Sequence, residues 1–137
     1  MRKTLLATTL VLAACAHPTA LAPTTEPVPA PPRPGIARVW HGRVPAARAD
    51  EYAAYLSTAV TKFRTLPGNL GYEVLRDDAG PETHFMVVSY WTTKDAIRAY
   101  AGDDIKKTRS LPRDSEFLIE VEPTVRNYEV AVQDLAR

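Results

Sequence analysis

Cysteine, histidine and long apolar runs are scarce in this sequence. It has one cysteine, Cys15, in 137 residues, so no disulfide bond can form within one chain. Three histidines occur without a paired H-x-x-x-H or C-x-x-C pattern, so we expect no intrinsic metal site and no bound cofactor. No P-loop, G-x-S-x-G or G-x-G-x-x-G motif is present, so the sequence does not support nucleotide binding or a serine acyl-transfer site.

An excess of charge of one sign is also lacking. The chain has 17 basic and 16 acidic residues, a net charge of +1. Removal of residues 1–14 would take away Arg2 and Lys3 and bring the balance to −1. Proteins that bind nucleic acids need a basic patch, which this sequence lacks, so we expect no nucleic-acid partner.

The N-terminus has the pattern of a secretory signal. Arg2 and Lys3 precede a short apolar run, residues 10–14, which is too short to span a bilayer. The sequence Leu-Ala-Ala-Cys at 12–15 resembles the bacterial lipobox, in which the cysteine is lipidated and becomes the mature N-terminus. We therefore predict a signal peptide over 1–14 and a lipid anchor on Cys15 that holds the protein to a membrane of the bacterial cell envelope.

An alternative cleavage site lies further along the chain. The sequence Ala-Leu-Ala at 20–22 fits a signal peptidase site, although Pro23 would directly follow the cut. Cleavage there would give a soluble periplasmic or secreted protein. In either case residues 15–35, rich in proline, cannot build a core and are predicted to be an extended tether.

The remaining chain, residues 36–137, is long enough for one domain. Its patterns predict the order β, α, β, β, α, β. Strands are predicted over 36–44, 71–76, 83–91 and 116–132, the last interrupted at Pro123. Helices are predicted from Pro45 to Leu66, over 93–101 with Thr92 as its cap, and in a short piece over 103–109. A turn is predicted over 77–81.

This order is typical of the ferredoxin-like α+β fold, an antiparallel sheet with both helices on one face. The third strand has apolar residues on both sides, Phe85 and Val87 on one and Met86, Val88 and Tyr90 on the other. Helices can cover only one of these faces. We therefore predict a homodimer in which two sheets pack face to face.

The segments IARVWHGRVP, LPGNLGYEVLR and THFMVVSYWTTKDAIRAYAGDDI resemble the antibiotic biosynthesis monooxygenase (ABM) family. The part W-x-x-x-x-A-I-x-x-Y-A-G-D-D is the most specific. The resemblance implies a dimeric α+β barrel with a ligand cavity between helices and sheet in each subunit. Family members include cofactor-independent oxygenases of aromatic polyketides and haem-degrading enzymes, so the resemblance does not define one reaction.

Several residues are candidates for a site. His41 is the candidate acid or base, because imidazole titrates near neutral pH, although a solvated strand histidine is the alternative. Trp91 could wall a pocket for a flat ligand or be a core aromatic, and Tyr72, Tyr90 and Tyr100 could supply hydroxyl groups. Haem-degrading relatives have a histidine after this tryptophan and an asparagine on the first strand. Residues 99–102 contain no histidine and the first strand no asparagine, which disfavours haem degradation.

These features predict a membrane-tethered, ABM-like protein that binds a small apolar or aromatic molecule. Without a cofactor it could oxidise a substrate that donates an electron to dioxygen once deprotonated, with His41 as the base. The alternatives are a non-catalytic ligand-binding module and a purely structural dimer of the envelope. The predicted location outside the cytoplasm favours these alternatives over biosynthetic oxygenation.

Overall fold

A computed structural model describes residues 29–134 of the chain. Cys15, the predicted signal peptide and most of the predicted tether therefore lie outside the described residues. Residues 31–34 have no regular secondary structure and precede the first strand. Within residues 29–134, no helix has the length and apolar character needed to cross a membrane.

The domain is a four-stranded antiparallel sheet with helices on one face. The strands are β1 (Ile36–Pro45), β2 (Asn69–Ala79), β3 (Glu82–Trp91) and β4 (Arg126–Glu129), in the order β2-β3-β1-β4. The helices are α1 (Ala49–Ala59), α2 (Lys94–Ala101) and α3 (Asp114–Phe117), with 3-10 turns at Ala46–Arg48 and Val60–Thr65. This arrangement confirms the predicted ferredoxin-like α+β fold.

Helix α1 and the 3-10 turn after it bury one stripe of side chains against the sheet. Tyr52, Leu56, Val60 and Phe63 are each less than 10% exposed and recur at the three- and four-residue spacing of a helix face. The strand residues beneath them have the two-residue period of a sheet, so that Phe85 and its alternate neighbours on β3 are buried on this side. The buried side chains of the helix and of the strands pack together and form the core.

Helix α2 is capped by a threonine at its N-terminus and ends at a glycine. The Oγ1 of Thr93 accepts a hydrogen bond from the backbone N–H of Ala96 at 3.2 Å, so Thr93 is the cap and the prediction of Thr92 was wrong by one residue. Gly102 ends the helix at a φ of 90°, which a residue with a Cβ rarely adopts.

The hairpin between β2 and β3 is tighter than predicted. A turn over 77–81 was expected, but the strands continue to Ala79 and from Glu82, which leaves Gly80 and Pro81 between them. Asp78 remains in the strand because its Oδ1 accepts hydrogen bonds from Thr83 Oγ1 at 2.8 Å and Arg76 Nε at 2.9 Å.

The helical piece predicted over 103–109 was wrong. This segment is irregular: it has one local turn, in which the N–H of Lys107 donates to the Asp104 carbonyl at 3.1 Å, and its other backbone bonds reach a distant part of the chain. The N–H of Thr108 donates to the carbonyl of Pro123 at 3.0 Å, and the carbonyl of Lys106 accepts from Val125 N–H at 2.7 Å. Local acidic capping residues therefore did not produce a helix, because the backbone groups have partners elsewhere.

The prediction of a strand over 116–132 was also wrong in extent. Only Arg126–Glu129 pairs along β1, opposite residues 36–39. The start of the predicted strand is instead α3. Residues 119–120 meet β1 at Arg43, where Ile119 N–H donates to the Arg43 carbonyl at 2.9 Å and Glu120 forms an isolated β-bridge. The β-branched residues of this region indicated a continuous strand, whereas long-range contacts divide it into short pieces.

The face of the sheet away from the helices is open in the single chain. We call it the open face; its residues on β3 are His84, Met86, Val88 and Tyr90. Met86 is 36% exposed and Leu75, which lies opposite it on β2, is 48% exposed. By contrast, Phe85 and Val87 on the helix-covered face are 1% and 6% exposed.

Candidate functional site

A cavity lies between the helices and the helix-covered face of the sheet. It contains about 480 Å³ of atom-free space, including the part that is open to solvent. Its lining is mostly aromatic and aliphatic, with a few polar groups. The lining residues are Arg38, Trp40, Tyr52, Leu56, Val60, Phe63, Val87, Ser89, Tyr100, Arg109, Leu111, Asp114 and Val125. Such a mixture is typical of sites for small organic molecules.

Strand β1 forms the floor of the cavity. Trp40 and Arg38 are two residues apart and therefore project from the same face of the strand. The indole of Trp40 lies across Gly42, where a Cβ atom would come within 2.3 Å of the ring. Glycine is thus required at 42 to let the indole lie flat along the strand.

A buried tyrosine and a buried carboxylate meet at one side of the cavity. The hydroxyl of Tyr52 donates to Asp114 Oδ1 at 3.1 Å, and the backbone N–H of Leu111 donates to Oδ2 at 2.7 Å. Burial raises the pKa of Asp114, and burial together with the nearby carboxylate raises the pKa of Tyr52. Asp114 is the one carboxylate in the described lining.

An aromatic cluster supports the opposite side. Tyr100 of α2 stacks on Trp91 with ring centroids 5.7 Å apart, and Phe63 meets Tyr100 edge to face at 5.3 Å. Trp91 is fully buried, and its Nε1 donates to Ser89 Oγ at 2.9 Å. Tyr100 therefore faces the cavity, whereas Trp91 packs behind it as a core aromatic.

Two arginines line the same cavity. Arg38 is only 5% exposed and donates to the carbonyl oxygens of Ile105 and Lys107, the latter at 2.8 Å. Its Nη1 also lies 3.3 Å from Asn127 Oδ1. Arg109 is exposed, on the irregular segment that follows α2.

The structure separates the predicted base from this cavity. His41 lies on β1 between Trp40 and Gly42, and the alternation of the strand turns its side chain to the open face. There its Nδ1 lies 3.0 Å from Glu122 Oε1, and its ring centroid is 5.4 Å from that of His84. His41 and Trp91 are thus not brought together.

The predicted tyrosines occupy three different positions. Tyr100 lines the cavity. Tyr72 lies on the helix-covered face next to Phe63, with ring centroids 6.0 Å apart, and is not part of the lining. Tyr90 is on the open face, opposite Ala37 of β1.

The lining does not fit a haem ligated by histidine. Both histidines of the domain, His41 and His84, lie on the open face, so no imidazole of the described residues lines the cavity. Nor do residues 29–134 contain a group of three or more histidine, cysteine, aspartate or glutamate side chains that could hold a metal ion.

Sequence reasoning missed Arg38, Tyr52 and Asp114 as site residues. Arg38 lies on the same face of β1 as Ile36 and Trp40. A charged residue among inward-facing apolar residues can be recognised from the sequence and indicates a possible site. Tyr52 was predicted only as an inward residue of the helix. Asp114 has no local signal, because its burial depends on the packing of Tyr52 from a segment 62 residues away.

Comparisons with known proteins agree with the fold. A family model described as antibiotic biosynthesis monooxygenase matches residues 36–107, more than half of the chain. None of the curated proteins matches the sequence significantly.

Among solved structures, a protein of unknown function from Nitrosomonas europaea matches with a TM-score of 0.57 and 15% identity, covering 76% of this chain and 96% of that one. A Bacillus cereus protein, named as a candidate antibiotic biosynthesis monooxygenase, matches with a TM-score of 0.56 and 12% identity over 76% of this chain and 100% of that one. The haem-degrading protein MhuD of Mycobacterium tuberculosis, solved with two haems in its active site, matches with a TM-score of 0.51 and 22% identity over 72% and 98%. At these identities the similarity establishes the fold alone.

Proposed function

We propose, since the chain belongs to the antibiotic biosynthesis monooxygenase family, that it binds a small apolar or aromatic molecule in the cavity between its helices and sheet. The observation that carries this proposal is the lining. Side chains such as Trp40, Phe63 and Tyr100 offer flat apolar surfaces, and the polar groups among them are few and fixed. A purely structural domain would gain stability by filling this space with side chains.

A pair of adjacent valines provides the test. Val87→Phe places a larger side chain in the cavity, whereas Val88→Phe makes the same change on the open face. Benzyl alcohol, titrated by isothermal calorimetry or NMR, should bind the wild type and the Val88→Phe variant and should bind Val87→Phe at least tenfold more weakly. Circular dichroism checks that both variants are folded. Equal binding to both variants would contradict the proposal.

A second candidate function is cofactor-independent oxygenation of the bound molecule. A base removes a proton from an electron-rich substrate, and the carbanion reduces dioxygen and forms a carbon–oxygen bond. The resulting hydroperoxide loses water and leaves a carbonyl group, so that one oxygen atom enters the product and the other enters water. The observation that favours this candidate is Asp114, a carboxylate inside the cavity whose pKa is raised by burial, as a general base requires.

Oxygen consumption with a quinol or anthrone substrate tests this second candidate and the base within it. If Asp114 is the base, Asp114→Asn should lower turnover at least a hundredfold, and His41→Ala should leave it unchanged. The opposite pattern would return the role of base to His41. Turnover by neither the wild type nor the variants would leave binding as the function.

The assembly that we propose is a homodimer joined through the open face. Leu75 and Met86 expose large apolar side chains next to the partly buried Val88 and Tyr90, a surface that is costly to leave in water. Light scattering of the purified domain should give twice the chain mass. Leu75→Glu should give the single mass, whereas Thr61→Glu, at an exposed position after α1, should remain dimeric.

The location that we propose is the bacterial cell envelope, with a lipid on Cys15. Mass spectrometry of the protein purified from bacterial membranes should show a chain that begins at Cys15 with added acyl mass. Cys15→Ser should appear in the soluble fraction. An unmodified chain that begins at Pro23 would instead support the secreted or periplasmic alternative.

A further inference from the structure

Arg38 is a buried cation with no counter-ion among the residues that the structure describes. It lies on the cavity floor and is 5% exposed, and burial lowers its pKa, although arginine keeps its charge. Its three hydrogen-bond acceptors, two backbone carbonyls and an asparagine amide, are all neutral. Among residues 29–134 no carboxylate lies within 4.0 Å of the guanidinium, and Asp104 acts on it only from a greater distance. A buried charge in this state costs free energy unless something else neutralises it.

The hydrogen bonds of Arg38 leave donors free. A guanidinium has five N–H groups, and three are occupied by Ile105, Lys107 and Asn127. Its Nε has no acceptor among the described residues. No fully inaccessible side-chain nitrogen or oxygen atom of these residues lacks a partner, so the Nε must retain accessible surface. Arg38 is also one of the residues that line the cavity, so its free donors are candidates for contact with a ligand there.

A second cation lies at the mouth of the same cavity. Arg109 is exposed, lines the cavity, and is close enough to Arg38 to lower its pKa by repulsion. Asp114, the carboxylate of the lining, accepts from Tyr52 and Leu111, and among the described residues it forms no ion pair with Arg38 or Arg109. The cavity is therefore positive at Arg38 and Arg109 and apolar along Leu56 and its neighbours.

We infer that the cavity binds a small carboxylic acid, with its carboxylate on Arg38 and its apolar part against Leu56, Val60 and Phe63. This inference rests on the proposed function and specifies the class of ligand. An arginine fork presents two parallel N–H groups that fit the two oxygens of a carboxylate. Arg109 then neutralises the outer side of the same group.

Two probes of nearly the same shape test the inference. Benzoate carries the carboxylate, and benzyl alcohol has the same ring without the charge. Wild-type protein should bind benzoate at least tenfold more tightly than benzyl alcohol by isothermal calorimetry. Benzoate should also shift one arginine Nε–Hε signal in the NMR spectrum, and that signal should be missing from Arg38→Lys.

Variants at two arginines of the same strand separate binding from structure. In Arg38→Met the ratio of the two affinities should fall to about one, whereas Arg43→Met, on the open face, should keep the wild-type ratio. If Arg38→Met does not fold, two other measurements test the inference. Arg109→Met should lower the ratio of the benzoate affinity to the benzyl alcohol affinity, and benzoate should shift the Nε–Hε signal of the wild type.

The outcomes distinguish this inference from the proposed function. If benzyl alcohol binds as tightly as benzoate, or benzoate shifts no arginine signal, the inference is overturned while ligand binding stands. In that case Arg38 would serve only to hold the carbonyls of Ile105 and Lys107. If neither probe binds the wild type, the proposed function fails as well.

Discussion

The two faces of the sheet provide different partners for an arginine side chain. Arg38 and Arg43 both lie on β1, five residues apart, and the period of the strand places them on different sides. Arg43, on the open side, is held at 3.0 Å by Glu82 and at 3.0 Å by Glu120, and the hydrogen bond to Glu82 raises its pKa. Arg38, on the buried side, has only neutral hydrogen-bond partners within the described part of the chain.

This difference is the reverse of what stability alone would favour. Exposed ion pairs contribute little, because water and salt screen them, whereas a buried charge needs a partner most. Within residues 29–134, two carboxylates pair with the half-exposed Arg43, whereas none lies within 4.0 Å of the buried Arg38. We therefore interpret the helix-covered face as the face that accepts a molecule from outside, and the open face as the surface that a second copy covers.

Substitutions at two adjacent residues of β3, one in the core and one on the open face, should give the largest difference in the free energy of unfolding. Phe85→Ala should lower the free energy of unfolding by about 3–5 kcal/mol at any protein concentration, because it empties a closely packed site. Met86→Ala should cost less in the isolated chain, and its cost should grow with concentration if the open face forms the dimer. Urea unfolding at several concentrations measures both. Equal losses at every concentration would remove the distinction between the faces.

Removal of the hydroxyl group from each of two tyrosines should give the next largest difference in the free energy of unfolding. Tyr52→Phe should lower the free energy of unfolding by about 1–3 kcal/mol, because it leaves a buried carboxylate with one partner fewer. Tyr90→Phe, on the open face, should change it by less than about 0.5 kcal/mol, since Tyr90 makes no side-chain hydrogen bond within the described residues. Similar losses in the two variants, measured by urea unfolding, would show that the pairing of Tyr52 with Asp114 contributes nothing specific.

The buried carboxylate should make stability depend on pH in a defined direction. Burial raises the pKa of Asp114 in the folded protein above the value of about 3.9 that applies in the unfolded chain. Between these two values the folded state binds more protons, so this group stabilises the fold less as pH rises. The stability of the wild type relative to Asp114→Asn should therefore decrease as the pH rises above about 4. A constant or increasing difference in urea unfolding would contradict this assignment.

The smallest effect is expected at the histidine that the sequence first suggested. His41→Ala should leave the affinity for benzoate within about twofold of the wild type, because the imidazole lies on the other side of the sheet. Calorimetry under the conditions used for Arg43→Met gives a direct comparison. A loss comparable to that of Arg38→Met would mean that the two faces are coupled.

The sequence predicted the elements that depend on local patterns. Strand β1, helix α1, the β2-β3 hairpin and helix α2 each have a clear period or capping signal, and all four occur close to their predicted bounds. Strand β4 was predicted four times too long, since 116–132 has β-branched residues but takes its partners from residues 43 and 106–108. Contacts of that range leave no trace in a local window.

The site was predictable only in part, for the same reason. Tyr100 was predicted as a pocket residue and lines the cavity. His41 was predicted as the base because imidazole titrates near neutral pH, but the alternation of side chains along β1 places it on the open face. Applying the alternation to every charged residue of β1 would have selected Arg38 instead. Asp114 could not be found in this way, because only the folded chain places it beside Tyr52.

The cavity is assembled from two parts of the chain that need not change together. Residues 36–107, which match the family model, supply the floor with Arg38 and the aromatic wall with Tyr100. Arg109, Leu111, Asp114 and Val125, which complete the lining, all follow that segment. Substitutions at Arg109, Leu111 or Val125 would therefore reshape the cavity while Arg38 and the four strands of the sheet stay unchanged.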